Sequence, residues 1–363
     1  MIKRKIIVLS ILFVFGTNLI KAQDNQPEKS PFTFSGYVET YYSYDFNEPA
    51  NHLRPGFIYN HNRHNELNLN LGFVKANYAK DNVRANFALM AGTYAESNMS
   101  AEQGLIKNVF EANVGVKISS KYNLWVDAGI IPSHIGFESA IGKDCANLTR
   151  SILADNSPYY EAGVKISYTS SSEKWYLAAM YLNGWQRIKK IDGNQTPAFG
   201  TQVTYKPTSK ATLNWSTYIG NEQPDNDKKW RYFNNFYGQF KLSNKTNVTA
   251  GFDFGTQQSA NKSISCDTWF SPVLILQHKP TEKIQLAVRG EYYSDEKGVI
   301  IASGTPNGFQ TYGLSANFDY LVAQNVMFRI EARNLSSKDQ VFLQSGNPAD
   351  SNAFVTTALA ISF

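Results

Sequence analysis

Charged residues alternate with apolar residues near the end of this sequence. Arg329, Glu331 and Arg333 are separated by single residues, and Ile330 and Ala332 lie between them. Side chains two residues apart lie on the same face of a β-strand, so the three charges would share one face. On a water-filled face they could attract or repel ions, whereas near the middle of a lipid bilayer each would cost about 2–4 kcal/mol. The pattern therefore predicts a strand with one wet face and one apolar face.

Histidine and serine residues offer little support for catalysis. Five histidines occur, and only Ser133-His134 and the pair His61 and His64 are close in sequence. Adjacent side chains of an extended chain point apart, and side chains three residues apart lie on opposite faces of a strand. The spacing predicts neither a nucleophile-base pair nor a metal site, so no cofactor, no metal and no enzyme activity are expected.

The elements that must position the charges are strands, because apolar and polar residues alternate from Phe32 to Phe363. Period-two alternation is typical of half-buried β-strands. About sixteen such segments are predicted, at 32–46, 64–79, 82–95, 106–119, 122–131, 159–170, 173–185, 197–206, 210–220, 231–242, 246–256, 267–279, 282–294, 309–320, 325–334 and 352–363.

The connections between these segments are alternately short and long: seven short turns and eight long loops. Short turns at one end, long loops at the other and both termini on the short side indicate an even strand number, with the long loops outside the cell. The sequence therefore predicts an all-β fold, a transmembrane up-and-down antiparallel β-barrel in the outer membrane. Sixteen strands enclose a space too wide for side chains to fill, which favours a water-filled channel.

The first residues are typical of a secretory signal peptide. Lys3, Arg4 and Lys5 precede an apolar run that is too short to span a bilayer. We expect a signal peptide at 1–22, a short periplasmic segment at 23–31 and the barrel at 32–363. Removing residues 1–22 lowers the formal charge from +5 to +1, because four basic residues and no acid are lost. Nucleic acid is therefore not an expected partner.

The candidate functional residues lie on the inward face and in the longest loop, 132–158. We predict that the loop folds into the barrel and narrows it, as charged rings do in other channels; an external flap or a subunit contact is the alternative. The charged wall residues could also be solvated without contacting a solute. The predicted channel-lining residues are Glu111, Glu161, Lys165, Arg289, Glu291, Arg329, Glu331 and Arg333, and the predicted constriction-loop residues are Glu138, Lys143, Asp144, Arg150 and Asp155.

Two cysteines, Cys145 and Cys266, fall in or beside long loops at the same end of the predicted barrel. A disulfide between them is a possible interpretation in an oxidising compartment. Two cysteines without known geometry are weak evidence for a bridge, so two free thiols are the other interpretation.

Several segments together resemble the OmpL-like β-barrel porins of Bacteroidetes and other Gram-negative bacteria. The resemblance covers most of the mature chain and is carried by residues 36–42, 83–94, 129–132, 156–159 and 181–185. It implies an outer-membrane porin that passes small hydrophilic solutes through a lipid-embedded barrel. It also implies that Phe363 is a signal for the barrel-assembly machinery. The predicted barrel is similar to the sixteen-stranded general porins as well, and that similarity implies an inward third loop and a homotrimer. A barrel-anchored surface adhesin or scaffold is the alternative, and an outer-membrane hydrolase is a more distant one.

Overall fold

The computed structural model describes residues 30–259 and 265–363. Exposed and buried side chains alternate along its strands. Along β12 (Cys266–His278), the outward Phe270, Leu274 and Leu276 are exposed, and the intervening inward residues are buried. A strand that separates lipid from a packed interior requires this pattern. The predicted signal peptide at 1–22 and the segment at 23–29 lie outside the described residues.

Eighteen strands and two short α-helices occur in the described part of the chain. They are β1 (Phe32–Asp45), β2 (Leu67–Lys80), β3 (Val83–Ala91), α1 (Thr93–Asn98), β4 (Val109–Lys117), β5 (Asn123–Pro132), α2 (Ile152–Asp155), β6 (Tyr160–Thr169), β7 (Trp175–Leu182), β8 (Ala198–Thr208), β9 (Ala211–Asn221), β10 (Trp230–Lys241), β11 (Thr246–Gln258), β12, β13 (Ile284–Asp295), β14 (Phe309–Ala323), β15 (Val326–Ser337), β16 (Phe342–Gln344), β17 (Asn347–Ala349) and β18 (Ser351–Ser362).

Sixteen of these strands form a closed antiparallel barrel, in which each strand pairs with its neighbours in sequence. Strand β1 closes the barrel by pairing with β18, where Tyr37 lies opposite Ser362 and Asp45 opposite Phe354. Closure removes the unpaired sheet edges that a bilayer does not tolerate. The remaining strands, β16 and β17, form a small hairpin in the last long connection.

The predicted all-β fold with sixteen barrel strands is confirmed. The alternation did not predict α1 or the β16–β17 hairpin, because both are short and lie in loops. Pro272 of β12 pairs with Phe252 of β11. Proline lacks a backbone N–H, and the ladder to β13 has a gap between Phe270 and Val273. The Ser271 hydroxyl donates to the Tyr292 carbonyl across that gap, at 2.7 Å.

Gly129 of β5 lies where two strands approach closely. Its φ is +130°, and a β-carbon there would lie 2.9 Å from Cα of Asn113 and closer still to the carbonyl oxygen of Ala112. Both the backbone conformation and the available space therefore require glycine.

We expect Gly129→Ala to reduce the yield of folded barrel, because the strained φ alone costs about 1–3 kcal/mol. The measurement is the folded fraction on a heat-modifiability gel, together with the urea unfolding midpoint. Gly290→Ala is the matched control, since a β-carbon at Gly290 has no heavy atom within 4 Å. Equal folded fractions for the two variants would contradict this role of Gly129.

Loop 3, defined as residues 133–159, connects β5 to β6 and contains α2. Most of its side chains are buried, including Leu148, Ile152 and Leu153. Loop 1, defined as residues 46–66, connects β1 to β2 and contacts loop 3 through Asn60 and Asp155, at 2.6 Å. Among the described residues, no helix has both the length and the apolar composition needed to cross a membrane.

Candidate functional site

Four charged residues on the inner face of β13 and β15 form a buried cluster. Arg289 Nη2 lies 3.0 Å from Glu331 Oε1, and its Nε lies 3.2 Å from Glu291 Oε1. Arg333 Nη2 lies 2.6 Å from the same Glu291 oxygen. We call Arg289, Glu291, Glu331 and Arg333 the arginine cluster. Alternation along each strand brings these side chains to one face, and strand pairing through β14 brings the two strands into register.

The backbone of loop 3 completes the hydrogen bonding of the arginine cluster. Arg289 donates to the Thr149 carbonyl at 2.6 Å, and the Thr149 N–H donates to Glu331 at 2.6 Å. The N–H of Ile152 donates to Glu291 at 2.7 Å, and Arg333 donates to the carbonyl of Arg150 at 2.9 Å. Charge-assisted bonds of this kind are about twice as strong as neutral ones. The cluster therefore binds loop 3 to this part of the barrel wall.

Arg329 fixes the preceding segment of loop 3. Its guanidinium pairs with Asp319 of β14, with Nε 2.7 Å from Oδ1. The remaining N–H groups donate to the carbonyls of Gly142 at 2.5 Å and Cys145 at 3.0 Å. Arg329 thus neutralises the carboxylate of Asp319 and binds two backbone carbonyls of loop 3.

These contacts correct part of the predicted channel lining. Arg289, Glu291, Arg329, Glu331 and Arg333 carry their charges on the inner side of the barrel, but each is at most 6% exposed. Loop 3 covers them, so they do not face open water. Alternation correctly placed the side chains on one face, but it carries no information about what lies over that face.

His134 anchors the beginning of loop 3 to the wall. Its Nδ1 lies 2.9 Å from Glu161 of β6, and its Nε2 lies 2.8 Å from the Thr217 carbonyl of β9. Both partners are acceptors, so both ring nitrogens act as donors and the imidazole is charged. Burial opposes this charge, but the carboxylate of Glu161 outweighs burial and raises the pKa of His134 above its ordinary value. Glu161, predicted as a lining residue, is therefore a buried anchor, 1% exposed.

Of the five charged loop-3 residues predicted to form the constriction, three have buried side chains: Glu138, Arg150 and Asp155. Arg150 is fully buried and donates to the carbonyls of Ser139, Leu148 and Ala140. Glu138 accepts from the N–H of Ser151 at 3.2 Å. These charges stabilise the loop and, contrary to the prediction, do not face the lumen.

Asp155 is the third of these internal charges and accepts from Asn60 of loop 1. Only Lys143 and Asp144 of the five keep exposed side chains, 38% and 49% respectively. The sequence could not distinguish the buried charges from the exposed ones, because the hydrogen-bond partners of Arg150, Glu138 and Asp155 depend on the folded path of loops 1 and 3.

Apolar contacts that the sequence analysis did not single out also hold loop 3 in place. Leu153 and Ala154 pack on Val273 and Ile275 of β12, which point inward. Leu148 packs on Tyr41 and Ala358. The sequence did contain an indication of this packing, because β12 is apolar on both faces. An apolar face that points into the barrel requires another part of the chain to cover it.

The opposite part of the wall, formed by β2 to β7, remains open and charged. Lys75 pairs with Glu111, and Arg84 forms a two-point contact with Asp127 at 2.7 and 2.6 Å. A cavity of about 480 Å³ is lined by Arg84, Glu111, Asp127 and Lys165 among others. Of the eight predicted lining residues, only Glu111 and Lys165 border this open space. The others are the five covered residues and Glu161.

The disulfide that the sequence left open between Cys145 and Cys266 is not formed. Cys145 is buried in loop 3 and Cys266 is exposed at the start of β12, and both are free thiols. Cys145 instead has its sulfur close to the backbone of Ser139, at 3.2 Å from the N–H nitrogen. Within the described ranges, no group of three or more His, Cys, Asp and Glu side chains is arranged to hold a metal ion.

Several solved structures share this architecture. The anion-selective porin from Comamonas acidovorans has a TM-score of 0.60 at 11% identity, over 92% of this chain and 99% of that chain. The outer membrane channel DcaP of Acinetobacter baumannii has a TM-score of 0.62 at 12% identity, over 92% and 97%. A trimer form of OmpT from Vibrio cholerae has a TM-score of 0.57 at 10% identity, over 92% and 99%. At these identities the likeness describes the fold.

No curated protein matches the chain. The family model described as "Putative beta-barrel porin-2, OmpL-like" matches residues 31–363.

Proposed function

Because this chain belongs to the OmpL-like β-barrel porin family and is an outer-membrane barrel, we propose that it is a porin for passive diffusion of small hydrophilic solutes. Solutes would cross inside the barrel, through a passage that loop 3 narrows. The anion-selective porin and the DcaP channel, which share the fold, support a transport role.

One observation carries the proposal: loop 3 is bonded to one side of the inner wall and leaves the other side open. Its first residues bond to β6, β9 and β10, and its later residues contact β12 through β15. It also reaches β1, where the Lys143 N–H donates to the Tyr37 hydroxyl. Half-exposed charged side chains remain on β2 to β6, among them Lys75, Arg84 and Lys165. A water-filled passage along β2 to β7 would explain why Lys75, Arg84 and Lys165 keep partly exposed side chains, whereas the charged side chains under loop 3 are buried.

Liposome swelling tests this proposal directly. Proteoliposomes in isotonic solutions of uncharged solutes of increasing size should swell rapidly with the smallest and progressively more slowly with larger ones. The graded decrease follows from a narrowed passage of fixed width. Folded barrel that gives no swelling with any solute would overturn the proposal.

Ion selectivity should be set by the open wall. Lys75, Arg84 and Lys165 face Glu111 and Asp127 there, which leaves one positive charge in excess. We therefore expect a modest preference for anions, since charged pore walls enrich counter-ions.

Replacing the three open-wall cations together, by Lys75→Gln, Arg84→Gln and Lys165→Gln, should shift the reversal potential in a salt gradient toward cation selectivity. The two carboxylates then remain without opposing charge. The control variant carries Lys174→Gln, Lys206→Gln and Lys210→Gln, which remove the same charge from exposed positions at the short turns. A shift of equal size in the control would argue against the open wall as the selectivity determinant.

The proposed partners follow from the outer surface. Exposed apolar side chains such as Phe34, Val74 and Leu314 would contact outer-membrane lipid. Phe363 is 66% exposed beside Gly36, at the seam between β1 and β18, where the barrel-assembly machinery could bind it. A homotrimer is proposed on the likeness to the OmpT trimer form.

The alternative functions receive less support. An adhesin needs loops that project outward, whereas loops 1 and 3 bond to each other and to the inner wall. A hydrolase based on Ser133 and His134 needs a ring nitrogen that can accept a proton, and both nitrogens of His134 are engaged by acceptors.

A further inference from the structure

A second cavity lies at the outer mouth, away from the open wall. Its volume is about 760 Å³, which is within the usual range for ligand sites. It is bordered by loop 1, by the connection 296–308 between β13 and β14, and by the hairpin β16–β17. Three outer connections therefore meet to form one concave site in front of loop 3.

Arg54 of loop 1 is the central polar group of this cavity. Its side chain is fully buried, its Nη1 donates to the His61 carbonyl at 2.9 Å, and its Cζ lies 3.5 Å from the Phe354 ring centroid. Nε and Nη2 have no hydrogen-bond partner among the residues that the structure describes. One end of the guanidinium is held firmly while two strong donors stay unused.

In Asp45 and Asn352, too, one side-chain atom has a hydrogen-bond partner and another has none. Asp45 Oδ1 accepts from the N–H of Asn47 at 2.9 Å and from Asn352 Nδ2 at 2.7 Å. The other oxygens, Asp45 Oδ2 and Asn352 Oδ1, have no partner within the described part of the chain. Asp45 Oδ2 lies 3.9 Å from Arg54 Nε, which is too far for a hydrogen bond. Buried polar groups of this kind normally find partners, and these three residues all line the cavity.

The rest of the lining is largely aromatic and apolar. Phe57, Phe309 and Phe342 pack together, with ring centroids of Phe57 and Phe309 4.7 Å apart, and Tyr59 is half-buried beside them. A solute in this cavity would meet aromatic rings on one side and, on the other, the donors of Arg54 and the acceptors of Asp45 and Asn352 that have no partner.

We propose that this cavity binds a neutral, hydroxyl-rich solute of saccharide type before it enters the passage. Arg54 and Asp45 carry opposite charges side by side, so the site is electrically balanced and offers no net attraction to an anion. A hydroxyl group both donates and accepts, and therefore suits adjacent unused donors and acceptors. The C–H faces of a sugar ring suit the aromatic lining. The inference rests on the proposed porin function and identifies its solute class.

The test is isothermal titration calorimetry of the detergent-purified full barrel with maltose as the probe. We expect maltose to bind saturably and Arg54→Gln to weaken binding about tenfold or more, since hydrogen bonds to a charged donor are lost. Arg63→Gln is the matched control, because Arg63 is in the same loop, pairs with Glu66 on the surface and does not line the cavity. Its affinity should equal that of the unaltered protein.

A second cavity variant provides an independent test, in case Arg54→Gln misfolds loop 1. Tyr59→Leu keeps an apolar side chain but removes the aromatic face, and it should also weaken maltose binding. Three results would overturn the inference: no maltose binding by folded protein, unchanged affinity in both cavity variants, or tighter binding of glutarate than of maltose. Calorimetry in detergent needs no conduction, so absent swelling with intact maltose binding would refute the porin proposal alone.

Discussion

Replacing Arg289 with methionine is expected to release loop 3 from the wall and to increase single-channel conductance. Arg289 is fully buried, bridges Glu291 and Glu331, and donates to the Thr149 carbonyl. Removing one partner of a buried ion pair costs about 3–5 kcal/mol, because the other charge stays buried and unpaired. That cost shifts the equilibrium between docked and released loop by about a hundredfold to several thousandfold.

The readouts are conductance in a planar bilayer and the rate of proteolytic cleavage within loop 3, both of which should rise. Arg63→Met is the control, since Arg63 pairs with Glu66 at 2.6 Å with both side chains about 30% exposed. Exposed pairs contribute about 0–1 kcal/mol, so this variant should behave like the unaltered protein. If Arg289→Met folds and retains normal conductance and protease resistance, the arginine cluster does not hold the loop.

Raising the pH is expected to weaken the docking of loop 3 through Asp155. Burial raises the pKa of this carboxyl to about 6 from its ordinary 3.8, although its hydrogen bond from Asn60 and the charges of Arg333 and Arg150 act in the opposite direction. The neutral form is favoured in the docked loop, so docking is strongest at low pH and weakens as the pH rises from about 4 to about 6. The total change is about 3 kcal/mol.

Asp155→Asn isolates this effect, because asparagine keeps an oxygen that can accept from Asn60 but cannot ionise. Protease cleavage of loop 3 should be slower in Asp155→Asn than in the unaltered protein at pH 7.5 and equal to it at pH 4. The difference between the two proteins removes the contributions of other titrating groups such as His61 and His134. Parallel pH profiles for both proteins would contradict the assignment to Asp155.

The barrel could be predicted from the sequence because the features that determine it, residue alternation within strands and the lengths of the connections, involve residues that are close in sequence. Alternation along Arg329, Glu331 and Arg333 predicts which face of the strand points into the barrel, and the alternation of short and long connections predicts the strand number. Both features follow from the period of a strand and from the two solvents on its faces. The short hairpin β16–β17 was missed because three-residue strands carry too little alternation to recognise.

The path of loop 3 could not be predicted in the same way, because its contacts join residues far apart in sequence. The Thr149 N–H bonds to Glu331, and nothing near Thr149 in the sequence indicates that partner. Charged loop residues were expected to face the lumen, yet Arg150 is used to bind carbonyls of its own loop. The apolar inner face of β12, with Val273 and Ile275, was the available sign that a loop covers this part of the wall.

The most direct test of the central claim is the single-channel conductance of a variant in which residues 134–158 are replaced by Gly-Ser-Gly-Ser. The ends of β5 and β6 are paired at Pro132 and Tyr160, so a hairpin loop of a few residues can join them without strain. Folding is verified beforehand by heat modifiability. A conductance well above that of the unaltered protein is the expected result, because the passage would no longer be narrowed; a folded variant with unchanged conductance would contradict the claim that loop 3 narrows the passage.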